Sequence, residues 1–245
     1  MSVLDNLNPA QREAAATVDG AVLVLAGAGS GKTRVLTHRI AYLIDELGVP
    51  PWNVLAVTFT NKAAGEMRER VDRLVGDRSR GTWIGTFHSI CARLLRQEAT
   101  AFGLDPRFTI YDEDDRLALM RRVLAALGIG EQALAPRAAV AQISRAKNAM
   151  LDPESFARQP GEGPARRQLA TVFRDYQQGL RSSNAFDFDD LLTEVVRRLD
   201  ANAPVLDRYQ QRFQYVLVDE YQDTNRPQYL LCRQVAGGHR NLCVV

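Results

Sequence analysis

Lysine is scarce in this chain: only Lys32, Lys62 and Lys147 stand among its 31 basic residues, and the rest are arginine. Such a bias can follow from genome composition alone, but it makes every position that keeps a lysine worth inspecting. Cysteine is almost as rare. Cys91, Cys232 and Cys243 are odd in number, far apart and without metal-ligand spacing, which excludes a disulfide framework and predicts reduced, mostly buried thiols. No apolar run approaches the roughly 20 residues of a membrane span. The N-terminus, MSVLDNLNPAQ, lacks the basic and apolar regions of a secretion signal, so the expected location is the cytoplasm and no membrane partner is expected. An excess of one charge is missing too: the net charge is only +2, and a phosphate-binding surface would have to come from local clustering.

What remains is ordinary globular composition, 46% hydrophobic and 24% charged over 245 residues, enough for one large domain or two smaller ones. The run Ala21 to Ala26, AVLVLA, ends in GAGSG and reads as a buried parallel strand entering a loop. A helix is predicted from about Lys32 to Glu46, a second buried strand over Asn53 to Phe59, a helix over Lys62 to Val75 and a short strand over Thr82 to Gly85. Strand and helix alternate at the spacing of crossover units, which implies a parallel sheet covered on both faces. From Ile90 to Tyr209 helical periodicity takes over, punctuated by LGIGE and QPGEGP, and only FTIY (Phe108 to Tyr111) hints at a strand. The sheet pattern returns at YVLVD (Tyr215 to Asp219) and again at NLCVV, where the chain stops on Val245 without a turn or polar tail. The expectation is an α/β domain interrupted by an all-helical insertion, belonging to something longer.

YVLVDEYQDTN, Tyr215 to Asn225, runs an apolar strand straight into two adjacent acids. Paired carboxylates at the edge of a core usually have a cation or a proton to handle. Their partner is AGAGSGKT, Ala26 to Thr33, which matches the phosphate-loop pattern with Ala26 in place of the first glycine. In such a loop, from Ala26 through Gly27, Ala28, Gly29, Ser30 and Gly31, backbone N–H groups turn inward around phosphate oxygens at a helix N-terminus. Lys32 then reaches the β- and γ-phosphates and the Thr33 hydroxyl meets Mg²⁺. Asp219, at the end of a neighbouring parallel strand, suits the same Mg²⁺, and Glu220 suits a general base that polarises the attacking water. The candidate catalytic groups are Lys32, Asp219 and Glu220, with ATP and Mg²⁺ as the implied ligands.

LNPAQREA, AGAGSGKT, TFTNKAA (Thr58 to Ala64), GTFHS (Gly85 to Ser89), FDFDDLL (Phe186 to Leu192) and VDEYQDTN together resemble superfamily 1A DNA helicases of the UvrD/PcrA/Rep type, in the family's order and over nearly the whole chain. The resemblance implies about the first third of such a helicase. Residues 1–90 and 211–245 would form most of the RecA-like domain 1A, and residues 91–210 the helical insertion 1B. It also implies that Gln11 reads adenine, that Arg34 stacks on the base, and that Phe59, Asn61, Thr86 and His88 touch single-stranded DNA. Single strands and single-strand/duplex junctions would be the substrate, repair or replication proteins the possible partners, and 3′ to 5′ the direction of movement. Without the missing part, weak Mg-ATP binding and little or no turnover are expected.

Other conspicuous residues read as structural. Asp112 to Asp115, DEDD, suits helix capping better than metal binding. Asp187, Asp189 and Asp190 match the family's FDFDDLL segment and otherwise read as caps of the following helix, and Phe87 reads as core. Two rival functions stay open on these residues: a P-loop kinase or ATPase acting on a small molecule, and a binding module that holds nucleotide only as a structural ligand.

Overall fold

The computed structural model describes residues 2–27, 29–159 and 163–245. In chain order the elements are α1 (Pro9–Ala16), β1 (Val22–Leu23), α2 (Lys32–Asp45), β2 (Val54–Thr58), α3 (Asn61–Val75), β3 (Trp83–Thr86), α4 (Phe87–Gln97), α5 (Ala99–Phe102), β4 (Thr109–Tyr111) and α6 (Glu113–Ala126). They continue with α7 (Pro136–Asn148), α8 (Pro153–Ala157), α9 (Pro164–Ser182), β5 (Ala185–Asp187), α10 (Phe188–Ala201), α11 (Ala203–Arg212), β6 (Tyr215–Val218), α12 (Arg226–Val235) and β7 (Leu242–Val244). Two compact units result: Met1–Cys91 with Arg198–Thr224 and Gln228–Val245, and Ala92–Arg197 with Asn225–Pro227. No described helix is long and apolar enough to cross a membrane.

The first unit is built on a five-stranded, all-parallel sheet in the order β1-β7-β6-β2-β3. β2 and β3 are buried along their whole length, as continuous apolar runs require when both faces are covered. Leu36, Ile40 and Leu43 from α2 and Met67 and Val71 from α3 pack on Ala56, Ile84, Leu217 and Cys243 of the strands. Two expectations need correction. β1 is a two-residue edge strand with Leu23 63% exposed, and Leu25 just beyond it is 84% exposed, so the run is not a buried strand. An apolar run carries no information about whether the sheet continues beyond it. Nor is β6 the neighbour of β1, because β7, contributed by the last residues of the chain, pairs with both. All three cysteines are free and buried, and burial pushes the Cys91 thiol far up and that of Cys232 up to about 12.

The second unit packs α6, α7 and α9 around Met120, Val123, Ile143, Val172, Phe173 and Tyr176. Gly179 lets α9 approach closely, since a Cβ there would meet Leu119 Cδ1 at 2.7 Å. Asp112 caps α6 in a reciprocal box with Asp115, as the DEDD segment suggests. The unit is mainly but not wholly helical, a further correction: β4 and β5 form a parallel pair, Thr109 opposite Ala185 and Tyr111 opposite Asp187. Phe108 and Phe186 meet edge to face beside it at 4.9 Å. β4 lies within FTIY, the segment that hints at a strand, whereas β5, only three residues long, gives no periodic signal of its own.

Charge is buried here. Lys147 Nζ lies 2.8 Å from both Asp187 Oδ2 and Asp190 Oδ1, and the Tyr176 hydroxyl donates to Asp187 Oδ2 at 3.0 Å. Asp187 and Asp190 also cap one another's backbone N–H at the start of α10. Burial pushes the Asp190 carboxyl up to about 7, against the pull of Lys147. Burial opposes ionisation of Asp187 too, but there Lys147 and Arg116 prevail and its carboxyl is held below the ordinary range.

Replacing Lys147 with methionine strands two buried carboxylates, and the expected cost is about 3–5 kcal/mol near neutral pH. Without the cation both carboxyls rise above their unfolded values, and a raised acid favours the folded state at low pH and loses that contribution as pH rises through its folded pKa. Urea unfolding of Lys147→Met should therefore show a larger deficit at pH 8 than at pH 5.

Candidate functional site

The site lies in the first unit, where the carboxyl ends of parallel strands meet helix N-termini. Gly31 begins α2 in the left-handed region at φ 86°, and Gly29 has φ 76°. Ser30 folds the loop back, its N–H and hydroxyl both donating to the Gly27 carbonyl, at 3.3 and 2.7 Å. Ala28, also expected to bind phosphate, falls outside the described residues.

α1 clamps this loop. Asn8 and Gln11 form a capping box at its start, with the Asn8 side chain accepting from Gln11 N at 2.8 Å and Gln11 Oε1 accepting from Asn8 N at 3.2 Å. Gln11 Nε2 then donates to the Ser30 carbonyl at 2.9 Å. An amide offers two donors and two lone pairs, so one donor and one acceptor of Gln11 remain for a ligand. The position of α1 is itself fixed from α2. Arg34 donates to the Asn6 carbonyl at 2.7 Å, and buried Arg39 donates to the carbonyls of Ala14, Thr17 and Val18.

Residues distant in the chain converge on α2. Thr33 Oγ1 is 3.4 Å from each oxygen of Asp219, and Lys32 Nζ is 3.6 Å from Glu220 Oε2. Asp219 extends the ladder by donating its N–H to the Val57 carbonyl at 3.0 Å, and Tyr221 N donates to the Val245 carbonyl at 2.8 Å. Between these anchors Glu220 adopts the left-handed region, φ 52° and ψ 46°, which costs a residue with a Cβ about 1–2 kcal/mol and persists only where the surroundings impose it. The Gln222 amide donates to the Glu220 carboxylate. Asp219 is held above the ordinary carboxylate range, first by burial and then by the charge of Glu220.

A cavity of about 240 Å³ opens here, lined by Thr33, Thr58, Phe59, Thr60, Ala63, Glu66, Arg70, Asp219 and Glu220. Sequence reasoning missed Glu66, Arg70 and Gln222. The available signal for the first two was their spacing of four on α3, where Arg70 and Glu66 pair at 3.1 Å. Phe59 is half-buried, edge to face with Phe87 at 5.7 Å, while Phe87 is core as expected. Asn61 is exposed in the first turn of α3 and His88 half-buried in that of α4. Thr86 is buried and its hydroxyl caps α4, accepting from Ser89 N at 3.1 Å. The arrangement offers a cation-and-amide cradle for an anion, a hydroxyl–carboxylate pair for a hard metal ion, and a carboxylate poised by a lysine.

The family model of the UvrD/REP helicase N-terminal domain matches residues 7–245. The chain is 47% identical over 243 residues to the ATP-dependent DNA helicase PcrA of Bacillus subtilis (strain 168), covering 99% of this chain and 33% of that protein. It is 46% identical over 244 residues to PcrA of Staphylococcus aureus (strain Mu50 / ATCC 700699), covering 100% of this chain and 33% of that protein. PcrA of Staphylococcus epidermidis is 45% identical with the same coverage. The chain thus spans about a third of the length of these curated relatives.

At Gly31 a Cβ would stand 2.8 Å from Gln11 Nε2. Gly31→Ala is expected to cost about 1–2 kcal/mol for the left-handed backbone and to break the Gln11 clamp. Gln11→Ala should cost about 2 kcal/mol for its two lost hydrogen bonds, to Ser30 and from Asn8 N, and the double variant less than the sum, because both changes remove the bond to Ser30. Urea titrations of the four proteins measure this.

Proposed function

Because the chain belongs to the UvrD/REP helicase N-terminal domain family, we propose that it is the N-terminal part of an ATP-driven motor that moves 3′ to 5′ along single-stranded DNA and unwinds duplex. Its role would lie in cytoplasmic DNA repair or replication. The observation that carries this reading is the convergence of Lys32 with Glu220 and of Thr33 with Asp219 at one cavity. In this reading residues 1–90 and 211–245 form a RecA-like domain 1A with helices on both faces of its sheet, and residues 91–210 form 1B, although residues 198–210 cluster with the sheet unit. Leu23 on the edge strand and Leu25 just beyond it are exposed, an apolar surface that a continuing sheet would cover.

Lys32 forms an ion pair with Glu220 in this structure. A triphosphate entering the loop competes for the lysine, frees the carboxylate and leaves Glu220, steadied by Gln222, to take a proton from water as the bond to the γ-phosphate breaks. The loop from Ala26 to Gly31 supplies N–H donors, Gln11 the adenine contact and Arg34 a planar face for the base. The residues fit Mg²⁺: Thr33 and Asp219 give hard oxygen donors, and the raised Asp219 carboxyl has a cation to gain from. When bound, Mg²⁺ would neutralise charge on the phosphates. Phe59 is the best-placed residue for stacking a DNA base, with exposed Asn61 and half-buried His88 as polar contacts. Thr86, whose hydroxyl accepts from Ser89 N, completes the set of proposed DNA contacts with its remaining O–H donor. Single-strand/duplex junctions complete the substrate.

Glu220→Gln in the full-length protein should lower DNA-stimulated ATP hydrolysis by at least about 100-fold while a non-hydrolysable analogue still binds. Unchanged turnover would exclude the motor reading. Phe59→Ala should weaken single-stranded DNA binding in a salt-titrated anisotropy assay by about 1–3 kcal/mol, with nucleotide affinity intact. A carboxylate that must be ionised to hold a cation loses it on acidification, and a raised pKa brings that loss to higher pH. Magnesium-dependent nucleotide binding should therefore weaken on acidification well before an ordinary aspartate titrates, and Asp219→Asn should remove that pH dependence along with most of the magnesium dependence.

A further inference from the structure

α1 carries Gln11, and little of its position comes from its own packing. Of its eight residues only Ala15 is buried, in a small cluster with Leu4, Leu7 and Val35, and a helix this short is marginal in water by itself. Tethers do the rest. The last carbonyls of a helix have no partner within it, and at the end of α1 two residues supply one. Thr17 donates both its N–H and its hydroxyl to the Glu13 carbonyl, at 2.9 and 2.8 Å. Arg39 donates from Nη1 to the Ala14 carbonyl at 2.9 Å and to that of Thr17, and from Nη2 to the Val18 carbonyl at 3.2 Å.

Arg39 is only 1% exposed, and its partners among the described residues are all main-chain carbonyls at the negative end of α1. Its place on α2 gives this cluster a reach beyond α1. α2 grows out of the phosphate loop at Gly31, and Arg39 follows eight residues on, about 12 Å along the same helix. α1 is therefore pinned twice. Near its start Gln11 holds the Ser30 carbonyl and Arg34 holds the Asn6 carbonyl, and at its far end Arg39 gathers three more. One pin leaves a short rod free to swing, and two fix its direction. That direction decides where the Gln11 amide points. Its remaining donor and acceptor match adenine, which offers an amino group at N6 beside the acceptor N7, whereas guanine offers two acceptors, O6 and N7. An amide held in one orientation discriminates between them; a swinging one does not.

We propose that Arg39 is a positioning residue that sets nucleotide selectivity: it fixes the direction of α1, so that the Gln11 amide meets the base edge in register with the phosphate loop. The inference deepens the ATPase reading above and rests on it and on its adenine contact.

The test is DNA-stimulated hydrolysis of ATP and of GTP by the full-length protein, with kcat and KM measured for each after circular dichroism has shown which variants fold. Arg39→Met should lower the ratio of kcat/KM for ATP to that for GTP by about tenfold, through the KM for ATP, with kcat and the KM for GTP within about twofold of the parent. Arg39→Lys keeps the charge but not the planar fork, so it is the variant more tolerant of folding and should lower the ratio by about threefold. On a Gln11→Ala background neither change should lower the ratio further, because Arg39 acts through Gln11. A parental ratio in every folded Arg39 variant, equal weakening of ATP and GTP, or a full additional loss on the Gln11→Ala background overturns the positioning role. Failure of both Arg39 variants to fold leaves the residue a folding role only and overturns it as well. A parent without preference for ATP, or a Gln11→Ala variant that keeps the preference, overturns instead the adenine contact, and a parent without DNA-stimulated turnover overturns the ATPase reading.

Discussion

The site depends on one constraint: parallel strands deliver all their carboxyl ends to the same edge of a sheet. That is why Thr33 and Asp219, 186 residues apart, come within 3.4 Å although β7 lies between their strands. The inserted strand widens the sheet at the place where a phosphate loop needs room, and α2, rooted at Gly31, crosses that width to present Thr33 and Lys32. The last residues of the chain matter for the same reason. The Val245 carbonyl receives the N–H of Tyr221, and Val245 N donates to the Val218 carbonyl at 3.1 Å, so the strand that spaces the two halves of the site also pins the residue after Glu220.

Much of this was legible because the chemistry is local. Gly29 and Gly31 take positive φ where backbone must turn around an anion, and a lysine kept in an arginine-rich chain marked both Lys32 and Lys147. Motif residues, however, do not state their partners. The Asp187 and Asp190 caps were readable from their place before an apolar helix, but their ion pairs with Lys147 were not, since the partners sit 40 residues apart or nearly so. Sheet order was invisible for a related reason. An apolar strand reads alike at an edge and at the centre, and β1 is an edge, with Leu23 and the following Leu25 exposed. Thr86 shows the converse limit: its place in a DNA-contact motif is equally the place of an N-cap, and the hydroxyl serves the cap.

Glu220 shows how rigidity and function are joined here. A general base, the role proposed for Glu220, must point along the line of attack, and an error of about an ångström in such a group costs rate steeply. A glycine at this position would adopt φ 52° freely but could carry no carboxylate. The chain therefore uses glutamate in a conformation it disfavours and holds it from both sides: β-ladder bonds at Asp219 and Tyr221 and the short turn to Thr224. Each holding interaction is worth about 1 kcal/mol net, so together they outweigh the backbone strain of about 1–2 kcal/mol.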